Sequence, residues 1–161
     1  MNITEMSGQK AIPVIVQQVE PSDFKNITKK QFFFRWDQLK GLADLYKLTF
    51  EDSPGILGLM ALVDVPAEYR IEIKLLTVSK ENKGSGKQYG GIAGCLIAYA
   101  AREAMGKYEG LACVSLKPKT ELRQHYINKY GMKPGGDQVY LDGHELQNLI
   151  NIYKPWVTKN Y

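Results

Sequence analysis

Four glycines fall in the ten-residue stretch Asn82-Lys83-Gly84-Ser85-Gly86-Lys87-Gln88-Tyr89-Gly90-Gly91, with no proline among them. Ahead of it runs Ile71-Glu72-Ile73-Lys74-Leu75-Leu76-Thr77-Val78, rich in β-branched and apolar types. Behind it runs Ile92-Ala93-Gly94-Cys95-Leu96-Ile97-Ala98-Tyr99-Ala100-Ala101, uncharged until Arg102. The first segment predicts a buried strand and the second a helix covered on nearly all sides. That order leaves main-chain N–H groups free at the helix start, where they and the helix dipole favour an anion, typically a phosphate. Spacing excludes two common phosphate binders. A P-loop needs a glycine five residues before Gly86 and a hydroxyl after Lys87; Glu81 and Gln88 stand there. Gly84, Gly86 and Gly90 do not keep the dinucleotide spacing, and no strand with a terminal acid follows about twenty residues on.

Other reactive side chains are sparse. His125 and His144 are far apart, and no carboxylate or cysteine cluster has metal-ligand spacing. Cys95 and Cys113 lie in apolar stretches and read as buried free thiols rather than a disulfide. Neither has a histidine partner that would make it a nucleophile.

The elements around the loop follow from periodicity. Ala11 to Val19 alternates Ile12, Val14 and Val16, with Pro13 marking an edge strand, while polar Met1 to Lys10 is expected to fray. Pro21 to Thr28 reads as a turn or one short helix. Gln31 to Trp36 reads as a strand with Phe32, Phe34 and Trp36 on one face. Leu45 to Phe50 and the wholly apolar Ile56 to Val65 are strands, and Pro66-Ala67-Glu68 turns the chain toward Ile71. After the long helix, Gly106 and Gly110 punctuate, and Leu111 to Leu116 is a strand ended by Pro118. Lys119 to Tyr130 is a helix with Leu122, Tyr126 and Tyr130 on one face, closed by Gly131. Gln138 to Leu141 is a short strand. Asp142 and Glu145 then predict a capping box for a helix striped with Leu146, Leu149, Ile150 and Tyr153 and stopped by Pro155.

The chain has 161 residues, 44% hydrophobic and 24% charged, which bounds it to one globular domain over 1–161. No apolar run is long enough to span a bilayer, and the N-terminus lacks a basic-then-apolar signal, so a cytoplasmic protein without membrane contact is expected. The net charge of +4 mildly favours anionic ligands, but the basic residues are scattered, so no nucleic-acid partner is expected.

Gln88-Tyr89-Gly90-Gly91-Ile92-Ala93 resembles Q/R-x-x-G-x-G/A, the pyrophosphate loop of the GNAT superfamily of acyl-CoA-dependent N-acyltransferases. The strand before it resembles the A-E-I-x-F-x-A-V strand of the histone-acetylating branch, with Glu72 on the general-base glutamate. Tyr126-Ile127-Asn128-Lys129-Tyr130-Gly131-Met132 looks like the segment carrying the family's tyrosine ahead of a glycine, and the order of elements agrees from Gly55 to Tyr153. The resemblance implies an α/β (α+β) fold: a mixed, mostly antiparallel sheet flanked by helices, with a cofactor cleft beside Ile71 to Val78. It implies acetyl-CoA as cofactor and direct acetyl transfer to a primary amine, on a small molecule or a protein, in a ternary complex. A homodimer is compatible with it. The alternatives are a non-catalytic CoA-binding or protein-interaction module on the same fold, or transfer of a longer acyl chain or to a hydroxyl.

Under this resemblance the site residues take the following roles. Glu72, in an apolar strand that strips water from it, is a base with a raised pKa; the competing role is a strand-edge glutamate paired with Lys74 or Arg70. The Tyr126 phenol, with a reference pKa near 10, suits protonation of a leaving thiolate; a plain core tyrosine is the alternative. Backbone groups of Leu76, Thr77 and Val78 hold the carbonyl oxygen and pantetheine arm. Amides of Gln88, Tyr89, Gly90, Gly91, Ile92 and Ala93 hold the pyrophosphate. Lys83 and Lys87 add charge or are solvated, and Lys119 replaces an asparagine that contacts CoA in many members. Two further departures are a longer loop between Val78 and Gln88 and the lack of the two early helices that shape the acceptor pocket.

Overall fold

The β-branched and aromatic runs pair as strands, and the computed structural model, which describes residues 1–154, joins them into one nine-stranded sheet. The strands are β1 (Asn2–Glu5), β2 (Lys10–Gln18), β3 (Asp44–Phe50), β4 (Ile56–Val65), β5 (Arg70–Val78), β6 (Tyr89–Gly90), β7 (Cys113–Leu116), β8 (Lys133–Gly135) and β9 (Gln138–Asp142). The α-helices are α1 (Lys29–Phe32), α2 (Ile92–Tyr108), α3 (Arg123–Tyr130) and α4 (Gly143–Ile152). Across the sheet the order is β6-β1-β2-β3-β4-β5-β7-β9-β8. Every pairing is antiparallel except β5 with β7, whose crossover is carried by α2. This is the mixed, mostly antiparallel α/β architecture expected.

Side-chain alternation gives the sheet two apolar faces. On one, α2 lies over Leu48, Met60, Leu62, Ile71, Ile73 and Val114, with the Leu146, Leu149 and Ile150 stripe of α4 beside it. On the other, a smaller cluster of Phe32, Trp36, Leu59 and Ala61 gathers Leu45 and Leu75 around it. Cys95, on the buried face of α2, is fully covered, and burial pushes its thiol up to about 12, so it is an inert core residue. Neither cysteine is in a disulfide.

Several elements depart from the expectation. Met1 to Lys10 does not fray: Ile3 is 1% exposed and β1 is paired on both sides, by β2 and β6. Gln31 to Trp36 is not a strand. The Thr28 hydroxyl accepts the Gln31 N–H at 3.2 Å, starting α1, and Phe33 ends it with φ 68°. Phe32 and Trp36 are still buried together, because Trp36 restarts a short 3-10 turn and its indole N–H donates to the Phe32 carbonyl at 3.3 Å. The early segment is thus short helical pieces, Pro21–Asn26, α1 and Trp36–Leu39. α2 continues through Gly106 to Tyr108, and the next strand starts at Cys113 rather than Leu111. Only Arg123–Tyr130 of the third helix is α-helical, closed as expected by Gly131 at φ 71°. Asp142 does occupy the N-cap of α4, but no capping box forms: Lys133 takes its carboxylate at 2.9 Å. β8 was not foreseen, and Pro155, the expected helix stop, lies outside the described residues.

Candidate active site

The site begins where β5 and β7 part. They pair in parallel from Arg70–Cys113 to Ile73–Leu116, and then the chain after β7 turns away at Lys117-Pro118, because proline has no N–H to extend the ladder. From Lys74 onward, among the described residues, β5 keeps its β4 neighbour only. A bulge at that point decides what the open edge presents. Leu62 opposes Ile73 and Ala61 opposes Leu75, leaving Lys74 unopposed. The Cys113 N–H reaches the Tyr69 carbonyl at 3.0 Å, so odd residues of β5 before the bulge face β7. Past it the parity reverses: the Ser79 N–H bonds the Leu57 carbonyl at 2.8 Å, so Ser79, Thr77 and Leu75 face β4. The main-chain groups of Leu76 and Val78 therefore point into the gap, whereas the expected Thr77 amide is spent on β4.

α2 starts at the same gap. Gly91 sits at its N-cap with φ 93°, a conformation that favours glycine, and has no side chain to cap the helix. The first helical bond runs from the Cys95 N–H to the Gly91 carbonyl at 3.0 Å, so the amides of Gly91, Ile92, Ala93 and Gly94 have no acceptor within the helix. Two earlier donors of the expected set, Tyr89 and Gly90, are engaged. The Tyr89 N–H bonds Asn82 Oδ1 at 3.1 Å, and ladder alternation commits Gly90 to Thr4. Gln88 lends its carbonyl to the Met6 N–H at 2.9 Å. The available cradle is thus Gly91–Gly94, shifted toward the helix.

Between these donors lies a cleft of about 250 Å³. Leu76, Thr77, Val78, Lys83, Ala93, Lys119 and Tyr126 of the expected residues line it, joined by Lys74, Lys117 and Leu122. Among the described residues that line it, four are lysines and none is a carboxylate. Lys83 Nζ rests 4.1 Å over the Phe33 ring, which fixes its direction. Tyr126 comes from α3, with its ring 6.0 Å from Tyr130 and 5.9 Å from His125. Burial raises its hydroxyl above the ordinary 10, so it is a protonated donor at neutral pH.

Comparison with solved structures gives matches along most of the chain. A spermidine N-acetyltransferase chimera from Vibrio cholerae and hSSAT superposes with a TM-score of 0.65 at 15% identity, over 84% of this chain and 99% of that one. The fold is that of the GNAT acetyltransferases. An Elizabethkingia anophelis GNAT family acetyltransferase with acetyl-CoA bound matches at TM-score 0.57 and 13% identity, over 80% of this chain and 97% of that chain. A Bacillus subtilis acetyltransferase in complex with CoA matches at 0.55 and 11%, over 81% and 98%. No family model matches the sequence, and no curated protein does.

On this GNAT fold, Glu72 lies outside the cleft lining and on the sheet face away from α2. Its carboxylate is not in apolar surroundings. Arg70 approaches at 3.4 Å and Lys74 at 3.5 Å, and Gln138 Nε2 donates to it at 3.1 Å. Arg70 also donates to the Ser115 hydroxyl at 2.7 Å, so the group ties β5, β7 and β9 together just before the strands part. Lys87 lies beside Gly90, off the lining. The bulge at Lys74 and the lining by Lys117 were missed. Pro118 signalled where β7 must end, but nothing in the strand's composition marks a bulge.

Proposed function

We propose that the cleft binds acetyl-CoA and that the protein transfers the acetyl group to a primary amine by direct attack in a ternary complex. One observation carries this: open-edge strand amides and orphan helix amides converge on one cleft whose described lining holds four lysines and no carboxylate. Those residues suit a long anionic thioester cofactor. Gly91–Gly94 would hold the diphosphate, with Lys83 and Lys119 adding charge, and Leu76 and Val78 would hold the pantetheine arm and the thioester oxygen. Acetyl-CoA, when bound, supplies the activated acyl group.

The chain's own groups then have defined tasks. The Leu76 N–H stabilises an oxyanion, worth up to roughly two orders of magnitude in rate. The Tyr126 hydroxyl, kept protonated by burial, carries the proton that a departing thiolate needs. Glu72, on the face opposite α2, is assigned to receive the amine's proton. The acceptor is an amine of a small molecule or a protein.

The test is calorimetry with acetyl-CoA, followed by a broad amine panel. Saturable binding and acetylation of some amine are expected; absence of binding removes the proposal. A second reading, a CoA-binding module without transferase activity, is favoured by the ion pairs that occupy Glu72. Binding with no transfer to any amine would select it.

A further inference from the structure

The loop between β5 and the helix, longer than a simple strand-to-helix turn, contains a buried polar bracket that the cofactor reading does not use. Asn82 is 4% exposed and Ser79 is fully buried. Asn82 Nδ2 donates to Ser79 Oγ at 2.8 Å, and Asn82 Oδ1 accepts the Tyr89 N–H at 3.1 Å. Its own N–H bonds the Ser79 carbonyl at 2.9 Å. One side chain therefore links the residue just past β5 to the residue two before the Gly91 N-cap. The neighbouring loop residues are anchored as well: Glu81 to Gln31 of α1, and Lys83 over Phe33. On its far side the Tyr89 segment is laced to β1, and the Tyr89 ring packs edge-on to Phe50 at 5.3 Å.

We infer that Asn82 is a positioning residue that sets the diphosphate cradle: it holds Tyr89, and through it Gly91, at a fixed distance from the open edge of β5. The inference rests on the cofactor reading above. The geometry requires such a device. The two donor sets for one cofactor, Leu76 and Val78 on the strand and Gly91–Gly94 on the helix, are joined by a glycine-rich connection that has little stiffness of its own. A buried amide satisfied at both ends removes that freedom before the ligand arrives. It also satisfies the Tyr89 donor, which is turned away from the β1 ladder.

Asn82→Ala tests this. Three quantities are measured on the full chain: the dissociation constant for CoA by calorimetry, amide hydrogen exchange at Tyr89 to Gly94 without ligand, and Tm. The variant is expected to exchange faster at Tyr89 to Gly94 and to bind CoA at least about tenfold more weakly, with kcat at saturating acetyl-CoA within about twofold of the parent. CoA affinity within about twofold of the parent in a variant that exchanges faster overturns the inference, because the bracket is then structural only. Should Asn82→Ala not fold, Ser79→Ala frees one end of the bracket and keeps the Tyr89 bond; it is expected to weaken CoA about threefold, and unchanged affinity overturns the inference. If the parent protein itself does not bind CoA, the cofactor reading fails, and that outcome is visible before any variant is made.

Discussion

Gly94 gives a sharp stability test, because an added Cβ there would meet Tyr153, which closes α4, and Tyr130 of α3. A Cβ built on Gly94 would stand 1.8 Å from the Tyr153 hydroxyl oxygen and 2.7 Å from its Cζ, with Tyr130 at 3.4 Å. Contacts that short force Tyr153 out of its seat at the end of α4. Overpacking of this kind costs about 1–3 kcal/mol. Against it stands the gain from replacing glycine inside a helix, roughly 0.5–1 kcal/mol. Gly94→Ala should therefore lower stability by about 1 kcal/mol, or about 2–4 °C in Tm for a chain of this size. In a Tyr153→Leu background the hydroxyl and Cζ are gone, and the same change should be neutral or stabilising. Urea unfolding of the four proteins in the cycle reads the coupling directly. If Gly94→Ala costs the same in both backgrounds, to within about 0.5 kcal/mol, the Tyr153 contact is not what makes glycine necessary there.

Other outcomes follow from the site. Tyr126→Phe should lower kcat by about 10²-fold while CoA still binds; unchanged turnover in the amine assay removes Tyr126 from the mechanism. Because burial raises the Tyr126 hydroxyl, the alkaline loss of kcat that it controls should lie above pH 10 and be absent from Tyr126→Phe, as a pH–rate profile shows. Glu72→Gln should reduce turnover by about 10²-fold with Tm little changed if Glu72 is the base; a fall in Tm with turnover intact assigns it to the β5–β7–β9 junction instead. Asp64 is depressed below its ordinary value by the Tyr108 hydroxyl and then by Lys107. A depressed folded pKa contributes stability above the unfolded value near 3.8, lost as pH falls through the folded one. Asp64→Asn should flatten that acid limb, by less than about 1 kcal/mol since the pair is partly exposed, in denaturation curves taken between pH 5 and pH 2.

Much of the site was legible in residue order. A largely apolar strand, a glycine loop and a helix uncharged from Ile92 to Ala101 pack with the helix start near the strand end, and Gly91 and Gly131 adopt the left-handed conformations their positions require. Tyr126 fell on the apolar face of its helix by periodicity and reached the cleft for that reason. Local pattern failed where a distant partner outweighed it. Met1 to Glu5 is polar enough to fray, yet β2 and β6 give its main chain two ladders, and Ile3 fills the core. Phe32, Phe34 and Trp36 alternate like a strand, but the Thr28 cap and the pull of Leu59 and Ala61 on Phe32 and Trp36 made a helical turn better.

The sequence alone determined which residues are apolar, which positions tolerate a left-handed backbone, and hence that a helix dipole would open beside β5. Which amides face the gap was decided only in three dimensions. One extra residue at Lys74 inverts the hydrogen-bonding parity of everything after it, so Leu76 and Val78 are freed and Thr77 is spent. The surroundings of Glu72 were decided in the same way, since Gln138 and Ser115 are neighbours only once β7 and β9 have come alongside. Composition specifies what each element can bury; the partners of its polar groups are set by how separate elements meet.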